Sequence, residues 1–195
     1  MLNMDPYVYP GTTLLKNLRD IRDPDEFEIF EALATSRRIS ELSLKSKSGN
    51  LDVSHLQSIH QYIFQDVYSW AGKFRSVDIA RSNQFYFGFA AMLSAALEDL
   101  LGKLRNERYL ADFDVTLFAK RATYYIGELN AIHPFRDGNG RAQREFIRQL
   151  AMRNGFKLNW SRVSRQQMYD ASHSSFLSGD NSRFETVQNS AFDPF

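Results

Sequence analysis

Residues 115–152 read VTLFAKRATYYIGELNAIHPFRDGNGRAQREFIRQLAM, and this stretch decides the fold. Its first half places apolar side chains three or four residues apart, at Val115, Phe118, Ala122, Ile126 and Leu129. That spacing predicts an amphipathic helix ending near Ile132. A second helical pattern runs from Arg141 to Met152. Two core helices joined by a short turn with two glycines are therefore expected at the centre of the molecule.

Helical spacing also occurs on both sides of this centre. It predicts helices within residues 24–42, 54–64, 92–104 and 164–177, the first as one helix or as two short ones. Ser54 followed by Gln57 is typical of a capping box, so the second of these helices should begin at Ser54. Residues 181–195 are weakly patterned and predict a weakly structured tail.

One segment alternates with a period of two. Val77 and Ile79 alternate with polar neighbours, residues 80–84 are suited to a turn, and Phe85, Phe87 and Phe89 alternate with Tyr86 and Gly88. This pattern predicts a β-hairpin over residues 77–87. The expected fold class is all-α with one small β-hairpin.

Length and composition indicate a single domain and argue against several kinds of partner and site. The chain of 195 residues needs no second domain, so one domain over residues 1–195 is expected, with a core at about 5–177. Lys plus Arg (24) nearly balances Asp plus Glu (23), which gives no reason to expect a nucleic-acid or membrane partner. Without cysteine, disulfides and thiolate sites are excluded. No signal peptide or membrane span is recognisable, so a cytoplasmic location is expected.

The turn between the core helices is suited to binding an anion. Gly138 and Gly140 can turn their backbone N–H groups toward one point directly before a helix N-terminus. On a helical wheel Arg141, Arg144 and Arg148 share one face, which need not be buried. A polyanion on the turn would meet N–H groups, the helix dipole and guanidinium groups together. A di- or triphosphate is the expected ligand.

Two further side chains could supply chemistry. Asp137 offers the oxygen ligand expected for Mg²⁺, which binds through one or two carboxylates plus phosphate oxygens. His133 is the side chain in this segment that can accept a proton near neutral pH, and it is the candidate base. Phe135 is expected to pack into the core.

Simpler interpretations stay open for several of these residues. The turn could be a helix-capping loop followed by a surface arginine stripe, and Arg148 is better explained by an ion pair within the chain. Phe89 is expected in the core, whereas Phe85, Tyr86 and Phe87 could face a partner. No function is assigned to His55, His60 and His173, since they lack the spacing of a metal site. Neither a Walker A lysine nor a third dinucleotide-binding glycine is present.

From His133 to Arg144 the sequence resembles the Fic signature at every defining position. That signature is a His, any residue, a Phe, any residue, an Asp or Glu, then Gly-Asn-Gly-Arg, two free positions and an Arg. The segments 5–11 and 59–72 also resemble Fic toxin domains. The resemblance covers residues 5–177 and implies a Fic helical core with a hairpin flap.

The resemblance implies a function and a role for each motif residue. A protein adenylyltransferase is expected, which moves AMP from Mg-ATP to a Ser, Thr or Tyr hydroxyl of a target protein. His133 would deprotonate that hydroxyl and Asp137 would hold Mg²⁺. The expected ATP-binding residues are Asp137, Gly138, Asn139, Gly140, Arg141 and Arg144, with Arg141 at the α/β-phosphates and Arg144 at the γ-phosphate. The flap residues Phe85, Tyr86 and Phe87 would dock the target.

The resemblance also implies partners. Many Fic proteins inhibit themselves with a helix in which a Glu precedes Gly or Asn, and no Glu of this chain does. A bacterial toxin held in check by a small separate antitoxin is therefore expected, with the ATPase subunit of a type II topoisomerase as its target. The alternatives are an effector translocated into a host cell, another phosphoryl or nucleotidyl transferase on the same scaffold, and a non-catalytic protein-binding module.

Overall fold

The computed structural model of the protein describes residues 5–44, 49–82 and 85–192. Within these ranges the chain forms seven α-helices and one antiparallel pair of strands, so the predicted fold class is confirmed. The helices are α1 (Pro24–Leu44), α2 (Val53–Phe64), α3 (Leu93–Asn106), α4 (Val115–Ile132), α5 (Asn139–Arg153), α6 (Arg165–Ser178) and α7 (Ser182–Ala191). The strands are β1 (Ala80–Ser82) and β2 (Phe85–Tyr86), and short 3₁₀ turns cover Ala90–Met92, Arg108–Leu110 and Trp160–Arg162.

Helices α4 and α5 form the centre, as their sequence predicts. The α4 stripe is buried at Phe118, Ala122, Ile126 and Leu129, although Val115 at its start is partly exposed. The apolar face of α5 is completely buried at Phe146, Ile147, Leu150 and Ala151. Burying a side chain such as Phe or Leu stabilises the fold by about 1.5–3 kcal/mol, so this face fixes α5 firmly against its neighbours.

The remaining helices surround this pair. Helix α2 packs on α5 and α1 packs on α2, while α3, α6 and α7 all contact α4. Helix α1 is one continuous helix. The N-cap of α2 is Asp52, whose carboxylate accepts the His55 backbone N–H at 2.8 Å. The predicted start at Ser54 is wrong, because the Ser54 hydroxyl donates to Asp52 instead of capping the helix.

The C-terminal region differs from its prediction. Residues 182–191 form helix α7, so the expectation of a weakly structured tail is wrong for the part of that tail that the structure describes. Phe184, Val187 and Ala191 are buried at helical spacing. A backbone hydrogen bond from Asn159 to Ala191 (2.7 Å) holds the end of α7. The helical pattern is weak in the sequence because its few apolar residues lie among Ser, Asn and Thr residues. Packing on α4 and α6 stabilises helix α7.

The hairpin begins later than predicted. Its strands pair Ala80 with Tyr86 and Ser82 with Phe85, and the Phe87 N–H donates to the Ile79 carbonyl at 3.1 Å. Val77 lies outside the strand, and its carbonyl accepts a hydrogen bond from Arg75 (2.8 Å). The predicted turn at residues 80–84 is therefore partly strand, and residues 83 and 84 lie outside the described ranges.

Candidate active site

The predicted site residues line one cavity. The loop of residues 133–138 joins α4 to α5 and borders a cavity of about 780 Å³, which α6 and the hairpin close on the other side. Lining residues include all the predicted motif residues: His133, Asp137, Gly138, Asn139, Gly140, Arg141 and Arg144. The structure thus brings the charged groups, the two glycines and the candidate base together around a single space.

The glycine turn is tightly built. Gly138 has a φ of 78°, and a Cβ placed there would lie 2.2 Å from the Phe64 ring. Only glycine fits, since both the left-handed conformation and the lack of space exclude a side chain. Asn139 closes the loop: its side chain accepts from the Phe135 N–H and donates to the Phe135 carbonyl, each at 2.8 Å. Phe135 is buried, as predicted.

His133 ends α4 in an unusual backbone conformation. Its φ of 51° is left-handed, which turns the chain away from the helix axis, and Pro134 prevents the helix from continuing. The ring stacks on Phe87 with 3.9 Å between centroids. The Nδ1 atom lies 3.1 Å from the Asn130 carbonyl oxygen, so Nδ1–H is assigned as the donor. The Nε2 lone pair is then left to accept a proton.

Burial keeps the His133 ring neutral. It lowers the pKa of His133 to about 4, and the positive charges of Arg75 and Arg81 act in the same direction. The ring is therefore uncharged at neutral pH, which is the state that a general base needs.

The environment of Arg144 differs from that of the other arginines at the site. Among the described side chains, no carboxylate lies within ion-pairing distance of its guanidinium group. Burial and the neighbouring Arg141 lower the pKa of Arg144 to about 10, so it is still charged at neutral pH. A partly buried cation that borders a cavity is stabilised by an anion in that cavity.

Arg141 has a different environment from Arg144. Its Nη2 contacts Glu31 at 2.9 Å and Asp137 at 3.1 Å, and its Nη1 donates to the Thr35 hydroxyl at 3.2 Å. Burial raises the pKa of the Asp137 carboxyl, Glu31 adds to this, and Arg141 opposes it. Arg141, Arg144 and Arg148 are all partly buried, so the alternative interpretation as a surface arginine stripe does not hold. Arg148 forms the predicted internal ion pair, with Glu145 at 2.7 Å.

Sequence reasoning missed the residues that support the loop from behind. His60 is completely buried between Phe64 and Phe135, and its Nε2 lies 2.9 Å from the Asp137 carbonyl oxygen. Since the Gly72 N–H donates to Nδ1 at 2.9 Å, Nε2–H must be the donor to Asp137. A buried position on the inner face of α2 was the available signal, but nothing in the sequence indicated its partner.

Arg75 is the second supporting residue that was missed. Its side chain is fully buried and donates to the His133 carbonyl at 2.9 Å and to the Ile132 carbonyl at 3.3 Å. It also donates to the carbonyls of Val77 and Gly88 at the base of the hairpin. Arg75 therefore joins the hairpin to the backbone of the candidate base. A lone arginine in a loop gives no sequence signal for such a role.

The hairpin aromatics do not share one environment. Phe85 and Tyr86 are 43% and 59% exposed, which suits a surface that faces a partner. Phe87 is buried between His133 and Phe176. It therefore does not have the partner-facing position that the sequence suggested. Phe89 was expected in the core and is 61% exposed. Strand β2 ends at Tyr86, so the alternation of a strand does not continue to Phe87 and Phe89.

The site offers few ligands for a metal ion. Within the described ranges, no three His, Asp or Glu side chains form a group that could hold a metal alone. The cavity instead presents Asp137, with Glu31 beside the same guanidinium group. One or two carboxylates plus ligand phosphates are the usual binding mode of Mg²⁺, so the donor set fits a metal that arrives with a phosphate ligand.

Comparison with known proteins gives the family. A model of the Fic/DOC family matches residues 50–151. The protein adenylyltransferase VbhT of Bartonella schoenbuchensis is 44% identical over 172 residues, which are 88% of this chain and 36% of that protein. The probable protein adenylyltransferase y4lH of Sinorhizobium fredii is 36% identical over 90% of both chains.

A solved structure supports the same fold. The BepC protein of Bartonella tribocorum, a VirB-translocated effector solved with bound AMPPNP, superimposes with a TM-score of 0.88. It covers 97% of each chain at 24% sequence identity.

The chain therefore belongs to the Fic/DOC family. The two relatives named above are a protein adenylyltransferase and a probable protein adenylyltransferase, and the chain spans about a third of the length of the first, VbhT. In the part of the chain that the structure describes, no helix is long and apolar enough to cross a membrane.

Proposed function

We propose that this protein is a protein adenylyltransferase that transfers AMP from Mg-ATP to a hydroxyl side chain of a target protein. The observation that carries the proposal is that a neutral His133 and a charged Arg144, which has no carboxylate partner among the described residues, lie on the wall of one cavity. A base and an anion-binding cation are the two groups that such a transfer requires from the protein. The family membership and the names of the relatives support the same activity.

The cavity suits the triphosphate of ATP. Arg144 would bind the γ-phosphate. The N–H groups at the start of α5, at the positive end of the helix dipole, would bind the α- and β-phosphates. Asp137 would hold Mg²⁺, which supplies positive charge against the phosphate oxygens when it is bound. Arg141 would act at the α/β region, although two carboxylates contact it in this structure.

His133 would carry the proton transfer. The target hydroxyl gives its proton to Nε2, and its oxygen forms a bond to the α-phosphorus as the bond from that phosphorus to the bridging oxygen breaks. Pyrophosphate leaves with the electron pair of that bond, and AMP stays on the target. The stacked Phe87 and the Asn130 carbonyl hold the imidazole ring in place for this step. Transfers of this kind depend mainly on positioning and on neutralising charge.

The flap is the proposed docking site of the target. Phe85 and Tyr86 stand exposed on β2, where an extended segment of another protein could add a strand. We propose a bacterial toxin whose target is the ATPase subunit of a type II topoisomerase and whose inhibitor is a small antitoxin with a Glu for Arg144. Translocation into a host cell is the alternative setting, in keeping with the effector BepC.

Two labels on ATP test the proposed reaction. The protein is incubated with bacterial lysate and Mg-ATP that carries the label either on the α-phosphate or on the γ-phosphate. AMP transfer leaves the α-label on a target band and no γ-label. Transfer of the γ-label would contradict the proposal and indicate a kinase on this scaffold. If neither label appears on any protein, while the chain still captures partners, it is a binding module.

A further inference from the structure

We propose that Glu31 of α1 is a positioning residue of the metal site: it shares Arg141 with Asp137 and thereby leaves Asp137 able to bind Mg²⁺. The inference rests on the proposed function, since Mg²⁺ would arrive with ATP. It concerns a residue 106 positions before Asp137 in the chain and outside the matched family segment of residues 50–151.

The contacts around Arg141 carry the proposal. Its Nη2 donates both to Oε1 of Glu31 (2.9 Å) and to Oδ2 of Asp137 (3.1 Å). Its Nη1 donates to the Thr35 hydroxyl, and its guanidinium group lies 4.5 Å from the centre of the Phe64 ring. Glu31 and Thr35 are one helical turn apart, so α1 presents both to the same cation. One guanidinium group is therefore divided between two carboxylates.

The charges of Glu31, Arg141 and Asp137 explain why sharing Arg141 would favour Mg²⁺ binding at Asp137. An arginine that had Asp137 as its single carboxylate partner would bind it more tightly, in the two-pronged geometry that arginine prefers with carboxylates. That contact would compete with Mg²⁺ for the same oxygens. With Glu31 present, Arg141 is already partly neutralised. Glu31, Asp137 and Arg141 together then carry one net negative charge, next to the turn where the phosphates would bind. A divalent cation is attracted by that charge, whereas the same charge opposes the attraction of Arg144 for a phosphate without metal.

Glu31 is itself held in place. The Tyr68 hydroxyl donates to its Oε1 at 3.0 Å, and burial raises the pKa of Tyr68, so the hydroxyl stays protonated. Only 17% of the Glu31 side chain is exposed, compared with 41% for Asp137. Glu31 thus faces Arg141 from the interior, while Asp137 borders the cavity.

Helix α1 does not depend on Glu31 for its attachment. Phe27, Thr35 and Leu42 are buried, and Arg38 forms an ion pair with Asp66 after the end of α2. Replacing Glu31 by glutamine keeps its shape and removes its charge. The helix should therefore stay in place, so that the charge can be tested separately from the fold.

The test is equilibrium binding of AMPPNP, measured by calorimetry on the complete chain with EDTA and over a series of Mg²⁺ concentrations. We compare wild type, Glu31→Gln and the control Glu28→Gln, an exposed carboxylate on the same helix. Glu31→Gln should lower the Mg²⁺ enhancement of binding by roughly tenfold or more, the effect found for groups that orient a metal ligand. In EDTA its affinity should equal or exceed that of wild type. Glu28→Gln should match wild type in both series.

A double-mutant cycle shows whether Glu31 acts through Arg141. In an Arg141→Met background the change Glu31→Gln should have no further effect on the Mg²⁺ enhancement. A full additional effect would overturn the proposal and make Glu31 a direct metal ligand. Tyr68→Phe, which removes only the hydroxyl behind Glu31, should reduce the enhancement in the same direction and keeps the test decisive if Glu31→Gln does not fold.

Two other outcomes are distinguishable. If Glu31→Gln weakens AMPPNP binding equally in EDTA and in Mg²⁺, or leaves the enhancement unchanged, Glu31 is a structural residue and the inference is wrong while the proposed function stands. If wild type itself does not bind AMPPNP with Mg²⁺, the proposed function fails and takes this inference with it.

Discussion

At the scale of single residues, burial has opposite consequences for His133 and Arg144. The pKa of each falls, to about 4 and to about 10, because the protein replaces water around both side chains. The histidine ends up neutral at pH 7, whereas the arginine keeps its charge. The fold thereby places in one cavity a neutral imidazole and a cation that has no carboxylate partner in the described part of the chain, and each can be tested by substitution.

Arg144 and Arg148 should respond in opposite ways to substitution by glutamine. Arg144→Gln should weaken Mg-AMPPNP binding by about 1.5–3 kcal/mol, the value of a charged hydrogen bond, without lowering thermal stability. Arg148→Gln should leave binding unchanged and cost about 2–4 kcal/mol of stability, because Glu145 loses its cationic partner in the interior and keeps only the neutral Gln149 amide. Calorimetry and urea unfolding measure the two effects. Equal losses of binding would refute the assignment of Arg144.

Gly138 should tolerate no side chain. Gly138→Ala should lower the free energy of unfolding by about 2–4 kcal/mol, since it adds both a left-handed strain and a clash with Phe64. Gly155 has nearly the same φ of 79° but open space around it, so Gly155→Ala is a matched control for the strain alone. Urea unfolding of both variants gives the comparison. If the two losses were equal, Phe64 would not confine the turn.

Among the structural elements, the sequence predicts those features that residues close together in the chain determine. The stripes of α4 and α5, the glycine turn between them and the motif residues could all be predicted from spacing and residue type. The support from His60 and Arg75 could not, because hydrogen bonds across 77 and 58 positions leave no periodic trace. Helix α7 was missed because tertiary packing, rather than a strong apolar pattern, stabilises it.

The packing of α7 gives an element-scale prediction. Phe184 is buried between α7 and the core and also lines the cavity. Phe184→Ala should cost about 3–5 kcal/mol in the free energy of unfolding, as for other buried aromatic residues. The neighbouring Arg183 is exposed, and Arg183→Ala should change stability by less than about 0.5 kcal/mol. Similar small effects of both substitutions would mean that α7 is not packed as described.

At the scale of the whole molecule, two neutral histidines should make the fold sensitive to acid. Burial lowers the pKa of both His60 and His133 from 6.5 to about 4. The contribution of the two neutral rings to the free energy of unfolding is complete above pH 6.5. It is lost as the pH falls toward 4, because the histidines of the unfolded chain bind protons at a higher pH than those of the folded protein. Each ring should remove roughly 1–2 kcal/mol of stability between pH 7.5 and pH 5.

Melting curves at pH 7.5 and pH 5 measure this loss. His60→Gln serves as the comparison, because an amide offers a donor for the Asp137 carbonyl and an acceptor for the Gly72 N–H but does not titrate in this range. The variant should be less stable at pH 7.5, since it loses the ring stacking, yet its melting temperature should fall less on going to pH 5. An unchanged acid sensitivity would show that His60 does not contribute to it.

The central claim is that the cavity binds Mg-ATP and that His133 performs the chemistry there. The most direct measurement compares wild type with His133→Asn for two properties: the affinity for Mg-AMPPNP and the transfer of α-labelled phosphate from ATP to protein in lysate. His133→Asn should bind Mg-AMPPNP with the same affinity as wild type and should lose at least about a hundredfold in transfer. Undiminished transfer by His133→Asn would contradict the central claim.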